Sequence, residues 1–216
     1  ERVLHHAVMI VCHPVFERFQ TDDSYASRIG KGQYAALEKA KTHTRHYRWF
    51  CKLDVRKFFD SIDHETLYGL LSRRFKDPAL LGLFRRIIDS YRTAPGCGLP
   101  IGNLTSQHFA NYYMAYADHH VREALRAPAY VRYMDDMVLW HDDKTELLRI
   151  TAGLTSFIGE RLRLTLKPPC INNTDKGVPF LGYVLFPGRV RLNRNSKKRF
   201  RCKMNSYDIK LDTGEW

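Results

Sequence analysis

The chain has 216 residues, 44% of them hydrophobic, with 35 lysines and arginines against 23 aspartates and glutamates. This composition excludes a disordered chain, and the net charge of +12 favours a polyanionic partner such as a nucleic acid. The five cysteines are all more than four residues apart, which excludes a Cys-x2-Cys metal site and is typical of a reducing compartment. No apolar run reaches the length of a membrane span.

Hydrophobic periodicity predicts the first elements along the chain. Apolar residues at helical spacing predict a helix over residues 3–19, and a polar stretch over 20–33 is expected to be a loop. A second helix is expected over about 34–43. The apolar run 49–55 then predicts a buried strand that carries Asp54 near its end.

The central part of the sequence is rich in helix signals. Asp63 is a good N-cap, and Asp77 followed by Pro78 indicates the start of the next helix. The Gly- and Pro-rich segment 95–102 is a turn region. An aromatic-rich stretch from Phe109 predicts the helix that follows.

The last third of the chain predicts two hairpins. Residues 129–140 form two short apolar runs joined at a turn that holds Asp135 and Asp136. A helix over about 144–162, a short strand near residue 164 and a second hairpin over 180–192 complete the pattern.

The segment 189–203 contains eight basic residues, which fit either a solvated face or a contact with a nucleic-acid backbone. The sequence begins at Glu1 rather than Met, which indicates a piece of a longer protein.

Three aspartates stand among apolar neighbours. Asp54 ends a strand, and Asp135 and Asp136 lie between the apolar flanks Val131 and Val138. Carboxylates in such surroundings repel each other and resist ionisation, a penalty that Mg²⁺ removes because it prefers hard oxygen ligands. Successive residues of an extended chain face opposite ways, so we expect Asp135 to bind metal directly and Asp136 more weakly. Asp-Asp alone is also an ordinary hairpin turn, so the hypothesis depends on the combination.

Four segments in this order resemble the motifs of reverse transcriptases. Residues 53–60 (LDVRKFFD) resemble the first catalytic motif, 98–107 (GLPIGNLTSQ) the nucleotide-pocket motif, 133–136 (YMDD) the second catalytic motif and 180–183 (FLGY) the primer grip. Upstream, 24–32 (SYASRIGKG) is similar to the fingers segment of bacterial retroelement enzymes. The resemblance covers nearly the whole chain.

The resemblance implies an α+β fold: a right-hand polymerase palm, built as an antiparallel sheet backed by helices, with helical fingers and a truncated thumb. The implied subdomains are partial fingers over 1–47, palm over 48–61, fingers over 62–105, palm over 106–188 and the start of the thumb over 189–216. The fingers lysine and arginine that hold the triphosphate in the family would lie upstream of residue 1.

The resemblance also implies roles for individual residues. The implied catalytic residues are Asp54, Asp135 and Asp136, which with Val55 would hold two Mg²⁺ ions. The implied nucleotide contacts are Arg56, Lys57, Phe58, Phe59, Ile101 and Gly102. The implied template and primer contacts are Arg28, Lys31, Gln107, Tyr133, Met134, Leu181, Gly182 and Tyr183. Lys167 is either a surface residue or the family's lysine near the leaving pyrophosphate.

Positions 59 and 101 make the implied substrate and the implied subgroup of reverse transcriptases more specific. By resemblance, the Phe59 ring excludes a 2′-hydroxyl, which implies deoxynucleotide substrates. Most reverse transcriptases have glutamine where this chain has Ile101, and a Ser-Pro pair where it has Ser106-Gln107. This variant resembles the reverse transcriptases of diversity-generating retroelements. Isoleucine cannot hydrogen-bond beside the nascent base pair, which offers a partial account of that group's errors opposite template adenine.

The implied function is copying a retroelement template RNA into mutagenised cDNA. The implied partners are template RNA, primer or cDNA, deoxynucleoside triphosphates and an oligomer of the accessory variability protein, in the cytoplasm of a bacterial or phage-infected cell, without a membrane. Two alternatives stay open. One is a reverse transcriptase of a retron, group II intron or phage-defence system. The other is a non-catalytic palm-like RNA-binding module, which would have no reason to keep all three aspartates.

Overall fold

The structure is a computed structural model that describes residues 2–213. Its helices are α1 Arg2–Phe19, α2 Gln33–His46, α3 Phe58–Ser61, α4 His64–Arg74, α5 Pro78–Asp89, α6 Leu104–His119, α7 Lys144–Leu162 and α8 Arg194–Thr213. Its strands are β1 Trp49–Asp54, β2 Ala129–Tyr133, β3 Asp136–His141, β4 Cys170–Asn173, β5 Val178–Phe180, β6 Tyr183–Phe186 and β7 Arg189–Leu192. The outermost expected subdomain limits, residues 1 and 216, lie outside the described residues.

The capping signals read from the sequence are confirmed. The Asp63 carboxylate accepts a 2.7 Å hydrogen bond from the backbone N–H of Thr66, which begins α4. The Asp77 carboxylate does the same for Leu80 at the start of α5. Such caps satisfy donors that the first helical turn leaves unpaired.

Two expectations near the sheet differ from the structure. The strand expected near residue 164 is a single antiparallel bridge between Val55 and Leu166, because Pro168 and Pro169 follow and have no N–H to extend a ladder. The first hairpin turns at Met134 and Asp135. Asp136 therefore belongs to β3 rather than to the turn.

The antiparallel sheet predicted from the sequence is present. Its four strands lie in the order β2-β3-β1-β4, and every neighbouring pair is antiparallel. A smaller antiparallel sheet has the order β5-β6-β7. Helices and antiparallel sheets together confirm the α+β class.

Strand alternation divides the four-stranded sheet between two cores. Cys51 and Leu53 face a core that includes side chains of α1, α4, α5, α6 and α7. Phe50, Val138 and Trp140 face a second core, formed with α2 and the smaller sheet. Both faces of the sheet are thus covered, while Asp54 and Asp136 at the strand ends are half-buried.

Helix α6 is the central helix of the larger core. Most of its side chains are buried, and Phe109 and Tyr112 lie 6.0 and 5.3 Å from the ring of Phe16 in α1. A helix that is buried around most of its circumference fixes the positions of its neighbours. None of the helices within residues 2–213 has the length and hydrophobicity needed to cross a membrane.

Two histidines, the half-buried His43 and the buried His108, predict loss of stability in acid. Burial lowers the pKa of both His43 and His108 to about 4, with the charges of Lys39 and His13 adding to the effect. A folded-state pKa below the ordinary 6.5 means that stability is complete above pH 6.5 and is lost as the pH falls towards 4. Each histidine should account for about 2–3 kcal/mol of this loss.

Replacing His108 by Phe should therefore reduce the dependence of the unfolding free energy on pH between about 6.5 and 4. Urea denaturation at several pH values measures the unfolding free energy of the wild type and the variant. The reference is pH 8, where the residue at position 108 is neutral in both proteins. Equal pH dependence in wild type and His108→Phe would contradict the assignment.

Candidate active site

The pairing of β1 with β3 brings the aspartates together. Asp54, the last residue of β1, lies directly opposite Asp136, the first residue of β3. Asp135 precedes it in the turn, after Met134, whose φ of 57° is left-handed. The register therefore makes Asp136 the cross-strand neighbour of Asp54, with Asp135 at the tip.

The three carboxylates influence one another electrostatically. The pKa of Asp136 is raised to about 6, mainly by burial, with Lys52 opposing the rise and the charges of Asp54 and Asp135 adding to it. Burial also raises the pKa of Asp135, and the charge of Asp54 adds to this. Carboxylates that resist ionisation in this way mark a site that is built to receive positive charge.

Two lysines already supply part of that charge. The Lys52 ammonium donates a hydrogen bond to Asp136 Oδ2 at 3.3 Å and lies 3.3 Å from Oδ1. Lys167 Nζ lies 2.8 Å from Asp54 Oδ1, and this interaction raises the pKa of Lys167.

The backbone positions Lys167. Its N–H donates to the Asp54 carbonyl at 2.9 Å, and the Arg56 N–H donates to the Thr165 carbonyl at 2.8 Å. Residues 165–167 therefore continue the sheet beside the end of β1. Lys167 is an exposed surface residue whose ammonium contacts the aspartate site.

The donor set suits Mg²⁺, although its geometry is not assembled in advance. Within residues 2–213, no three histidine, cysteine, aspartate or glutamate side chains are gathered as a metal-binding group. Asp54 Oδ1 and Asp136 Oδ1 are nevertheless buried carboxylate oxygens that face only the lysine ammonium groups. Buried carboxylate oxygens of this kind are the hard ligands that Mg²⁺ prefers. The residues therefore fit the ion by their chemistry.

In the segment after β1, two neighbouring phenylalanines differ in how deeply they are buried. Lys57 has a left-handed φ of 47° and begins the short helix α3. Phe58 is 4% exposed and belongs to the core, whereas the Phe59 ring is half-buried. The Phe59 carbonyl accepts a 2.8 Å hydrogen bond from the Leu99 N–H, which ties α3 to the turn region 95–102.

The nucleotide-pocket motif is presented to solvent. Ile101 is 76% exposed, and Gly102 has a φ of 102° that favours glycine. Arg56 and Lys57 are also exposed. These side chains are therefore free to meet a ligand.

Arg28, an expected template contact, is engaged by partners within the protein. Its side chain is 7% exposed, and its guanidinium binds the Glu17 carboxylate and the carbonyls of Thr21 and Ser24. A guanidinium with these partners organises its own loop, because its donors are already used. Lys31 is similarly engaged, since its ammonium donates to the Asp22 carbonyl at 2.7 Å.

Gln107 is better placed to contact a ligand. It lines an open groove of about 550 Å³ together with Ile29 and Leu104. Its Oε1 accepts a 3.2 Å hydrogen bond from Ser27 Oγ, which links α6 to the loop after α1.

The remaining expected contacts lie at two hairpins. Tyr133 and Met134 are half-buried at the aspartate hairpin, where Tyr133 pairs with Asp136. Leu181 and Gly182 form the β5–β6 turn with φ values of 47° and 84°. Tyr183 follows in β6 and packs, like Tyr133, against the core beside α2.

Sequence reasoning missed two contributors, Lys52 and Arg132. Lys52 lies within the apolar run 49–55, and Arg132 lies within the first apolar run of the hairpin 129–140. The available signal was a cation within a buried strand, which requires a partner. Arg132 finds that partner in Asp118 of α6.

Known proteins with similar sequences include proteins of introns. The chain is 24% identical over 204 residues to the group II intron-encoded protein LtrA of Lactococcus lactis subsp. cremoris, a match that covers 85% of this chain and 33% of that protein. It is 27% identical over 124 residues to an uncharacterized 91 kDa protein in the cob intron of Schizosaccharomyces pombe, covering 55% and 15%. The chain thus spans a third or less of the length of these relatives.

Solved structures with the same fold include telomerases. Apo telomerase from Candida tropicalis superimposes with a TM-score of 0.66 at 11% identity, covering 89% of this chain and 41% of that one. Telomerase from Candida albicans, in complex with a TWJ fragment of telomeric RNA, gives 0.59 at 13% identity, covering 89% and 37%. These similarities confirm the predicted polymerase-palm fold.

The family model for reverse transcriptase (RNA-dependent DNA polymerase) matches residues 3–185. This match includes β1, the hairpin that carries Asp135 and Asp136, and the β5–β6 turn. With most of its length matched, the chain belongs to the reverse transcriptase family.

Proposed function

We propose that this chain forms the catalytic part of an RNA-directed DNA polymerase. The observation that carries the proposal is the β1–β3 register, which places Asp54 opposite Asp136 with Asp135 in the adjoining turn and Lys167 beside Asp54. The substrates would be template RNA, a primer or growing cDNA, and deoxynucleoside triphosphates. The excess of basic residues, +12 overall, suits such polyanionic ligands.

The subdomain assignment is part of the proposal. Residues 48–61 and 106–188 would form the palm, 1–47 and 62–105 the fingers, and 189–216 the start of the thumb. The palm assignment is supported by β1 to β4, which form one sheet around the aspartates. In the thumb segment, β7 pairs with β6 and thus belongs to the smaller sheet, so a helical thumb would begin at α8.

Two Mg²⁺ ions would be held by Asp54, Asp135, Asp136 and Val55. When bound, they supply electrostatic stabilisation of the phosphoryl group that is transferred. The position of Lys52 supports weaker metal binding by Asp136 than by Asp135, because the Lys52 ammonium already contacts both oxygens of the Asp136 carboxylate.

The chain's own residues would bind and orient the substrates. Arg56 and Lys57 are exposed cations one and two residues after Val55, where a triphosphate would contact them. The Lys167 ammonium would stand near the leaving pyrophosphate, where its pKa, raised beside Asp54, keeps it protonated. Tyr133, Met134, Gln107 and the 181–183 turn would contact template and primer.

Replacing Asp135 by Asn tests the proposed activity. In a primer-extension assay with an RNA template, a DNA primer, deoxynucleotides and Mg²⁺, the rate should fall by about 100- to 1,000-fold, the usual scale for losing one preorganised electrostatic group. Mg²⁺ should also raise the unfolding temperature of the wild type more than that of the variant.

The matched control is Asp175→Asn, which neutralises an exposed aspartate outside the proposed site. It should behave as the wild type. Undiminished extension by Asp135→Asn would contradict the proposal.

The half-buried ring of Phe59 would discriminate between sugars. Phe58 would act indirectly, since its ring lies in the core 5.4 Å from the Phe59 ring and supports it. A ring beneath the sugar leaves no space for a 2′-hydroxyl.

Phe59→Ala should therefore raise the ratio of ribonucleotide to deoxynucleotide incorporation by about 10- to 100-fold, the scale of a lost steric exclusion. Single-nucleotide extension with matched ribo- and deoxynucleotides measures the ratio, and thermal unfolding checks that the variant is folded. An unchanged ratio would remove Phe59 from this role.

The subtype that we propose is a diversity-generating retroelement enzyme. Its support is Ile101, an exposed apolar side chain at the nucleotide-pocket motif, together with Ser106-Gln107. The proposal includes an accessory variability protein oligomer as partner and the cytoplasm of a bacterial or phage-infected cell as location. The second candidate is a group II intron enzyme, favoured by the similarity to LtrA over 85% of the chain.

Ile101→Gln distinguishes the two candidates. It restores a hydrogen-bonding side chain, so misincorporation opposite template adenine should fall by about 2- to 10-fold, the value of one hydrogen bond. Sequencing of extension products measures the errors, and Ile101→Met, of similar length but without an amide, is the control. Accurate copying opposite adenine by the wild type would instead favour the intron-type enzyme.

A further inference from the structure

Arg132 is an arginine whose side chain is buried in the protein interior, where a charge without partners is destabilising. It lies in β2, its side chain is 0% exposed, and it stands two residues before Met134 at the tip of the aspartate hairpin. Burying an ionised group destabilises a fold unless partners satisfy it. The partners of Arg132 therefore indicate why the residue is there.

All the donors of the guanidinium have partners within the protein. Nε and Nη2 bind the two carboxylate oxygens of Asp118 at 2.7 and 2.6 Å. Nη1 donates to Asn111 Oδ1 at 2.7 Å and to the Met134 carbonyl at 2.9 Å, and Nη2 also donates to Ser24 Oγ at 2.9 Å. This geometry uses the planar fork that only arginine offers.

The contact with the Met134 carbonyl reaches the aspartates directly. Met134 has a φ of 57°, a left-handed conformation that costs a non-glycine residue about 1–2 kcal/mol. Its carbonyl belongs to the same peptide plane as the N–H of Asp135. The hydrogen bond to that carbonyl therefore fixes the orientation of the peptide plane that precedes Asp135.

Arg132 also connects this hairpin to the loop after α1. Its N–H donates to the Asp23 carbonyl at 2.8 Å, and its own carbonyl accepts from the Tyr25 N–H at 3.0 Å. The Asp23 carboxylate is in turn bound by the guanidinium of Arg122. The loop thus pairs with the edge of β2 at the residue that holds the hairpin.

We propose that Arg132 is a positioning residue of the aspartate hairpin, fixing the Met134–Asp135 peptide through a hydrogen bond that Asp118 and Asn111 orient. The catalytic consequence rests on the proposed function, whereas the conformational consequence does not. A residue that only filled the core would stabilise the fold without controlling the hairpin.

Arg132→Lys separates the two roles in the full chain. A single ammonium keeps the charge beside Asp118 but cannot reach the Met134 carbonyl with the same fork. The kcat of nucleotide incorporation should fall by about 10- to 100-fold, the scale of a small misplacement of catalytic groups, with KM for the deoxynucleotide within about twofold. A lower kcat with an equally raised KM, or no change, would overturn the proposal.

Met134→Gly provides a rescue that a structural role would not produce. Glycine adopts the left-handed conformation without penalty, so it needs less support from Arg132. The loss of kcat caused by Arg132→Lys should be smaller in the Met134→Gly background than in the wild type. Equal losses in both backgrounds would count against positioning.

Amide hydrogen exchange tests whether Arg132 positions the aspartate hairpin, and the measurement does not require polymerase activity. Arg132→Lys should accelerate exchange locally, over residues 133–137, while the rest of β1 and β3 keeps its protection. The control is Tyr130→Phe, which removes a 2.9 Å hydrogen bond to the same Asp118 oxygen but leaves the Met134 contact. It should lower stability without local acceleration.

A uniform acceleration across the sheet, or the same pattern in both variants, would overturn the proposal. If the wild type extends no primer, the proposed function fails, and the exchange data still decide the role of Arg132.

Discussion

The site depends on the antiparallel register between β1 and β3. That register places Asp54 opposite Asp136 and leaves Asp135 at the turn. Since side chains alternate along a strand, a slip of one residue would move Asp136 to the opposite face of the sheet. The register is held by burial on both faces, with Leu53 and Met137 towards one core and Phe50 and Trp140 towards the other.

Charge compensation is the second constraint. Three carboxylates at one strand end would oppose folding, and the structure offsets them with Lys52 and Lys167. Each lysine is placed by the sheet itself: Lys52 lies in β1, and Lys167 follows from the pairing of Leu166 with Val55. The same sheet that gathers the negative charge thus also supplies the opposing positive charge.

Local signals predicted the elements and the aspartates. The helix over 144–162 and the caps Asp63 and Asp77 follow from patterns of neighbouring residues, which sequence displays directly. The ion pair of Arg28 with Glu17 could not be predicted, because Glu17 lies in a different element and only the fold shows that they meet.

At the site as well, contacts between residues far apart in the sequence could not be predicted. The pairs Arg132–Asp118 and Lys52–Asp136 join separate elements, and no spacing rule links their members. Phe58 and Phe59 show the same limit, since these adjacent residues of one type differ in burial, Phe58 lying in the core and Phe59 half-buried against it.

The loop paired with β2 has a consequence for solubility. Strand β2 is an edge of the four-stranded sheet, and an uncovered edge offers free N–H and C=O groups to other chains. The bridge between Ser24 and Arg132 covers part of that edge. Displacing this loop would therefore expose a template for strand-to-strand aggregation, so the loop also protects the folded chain from self-association.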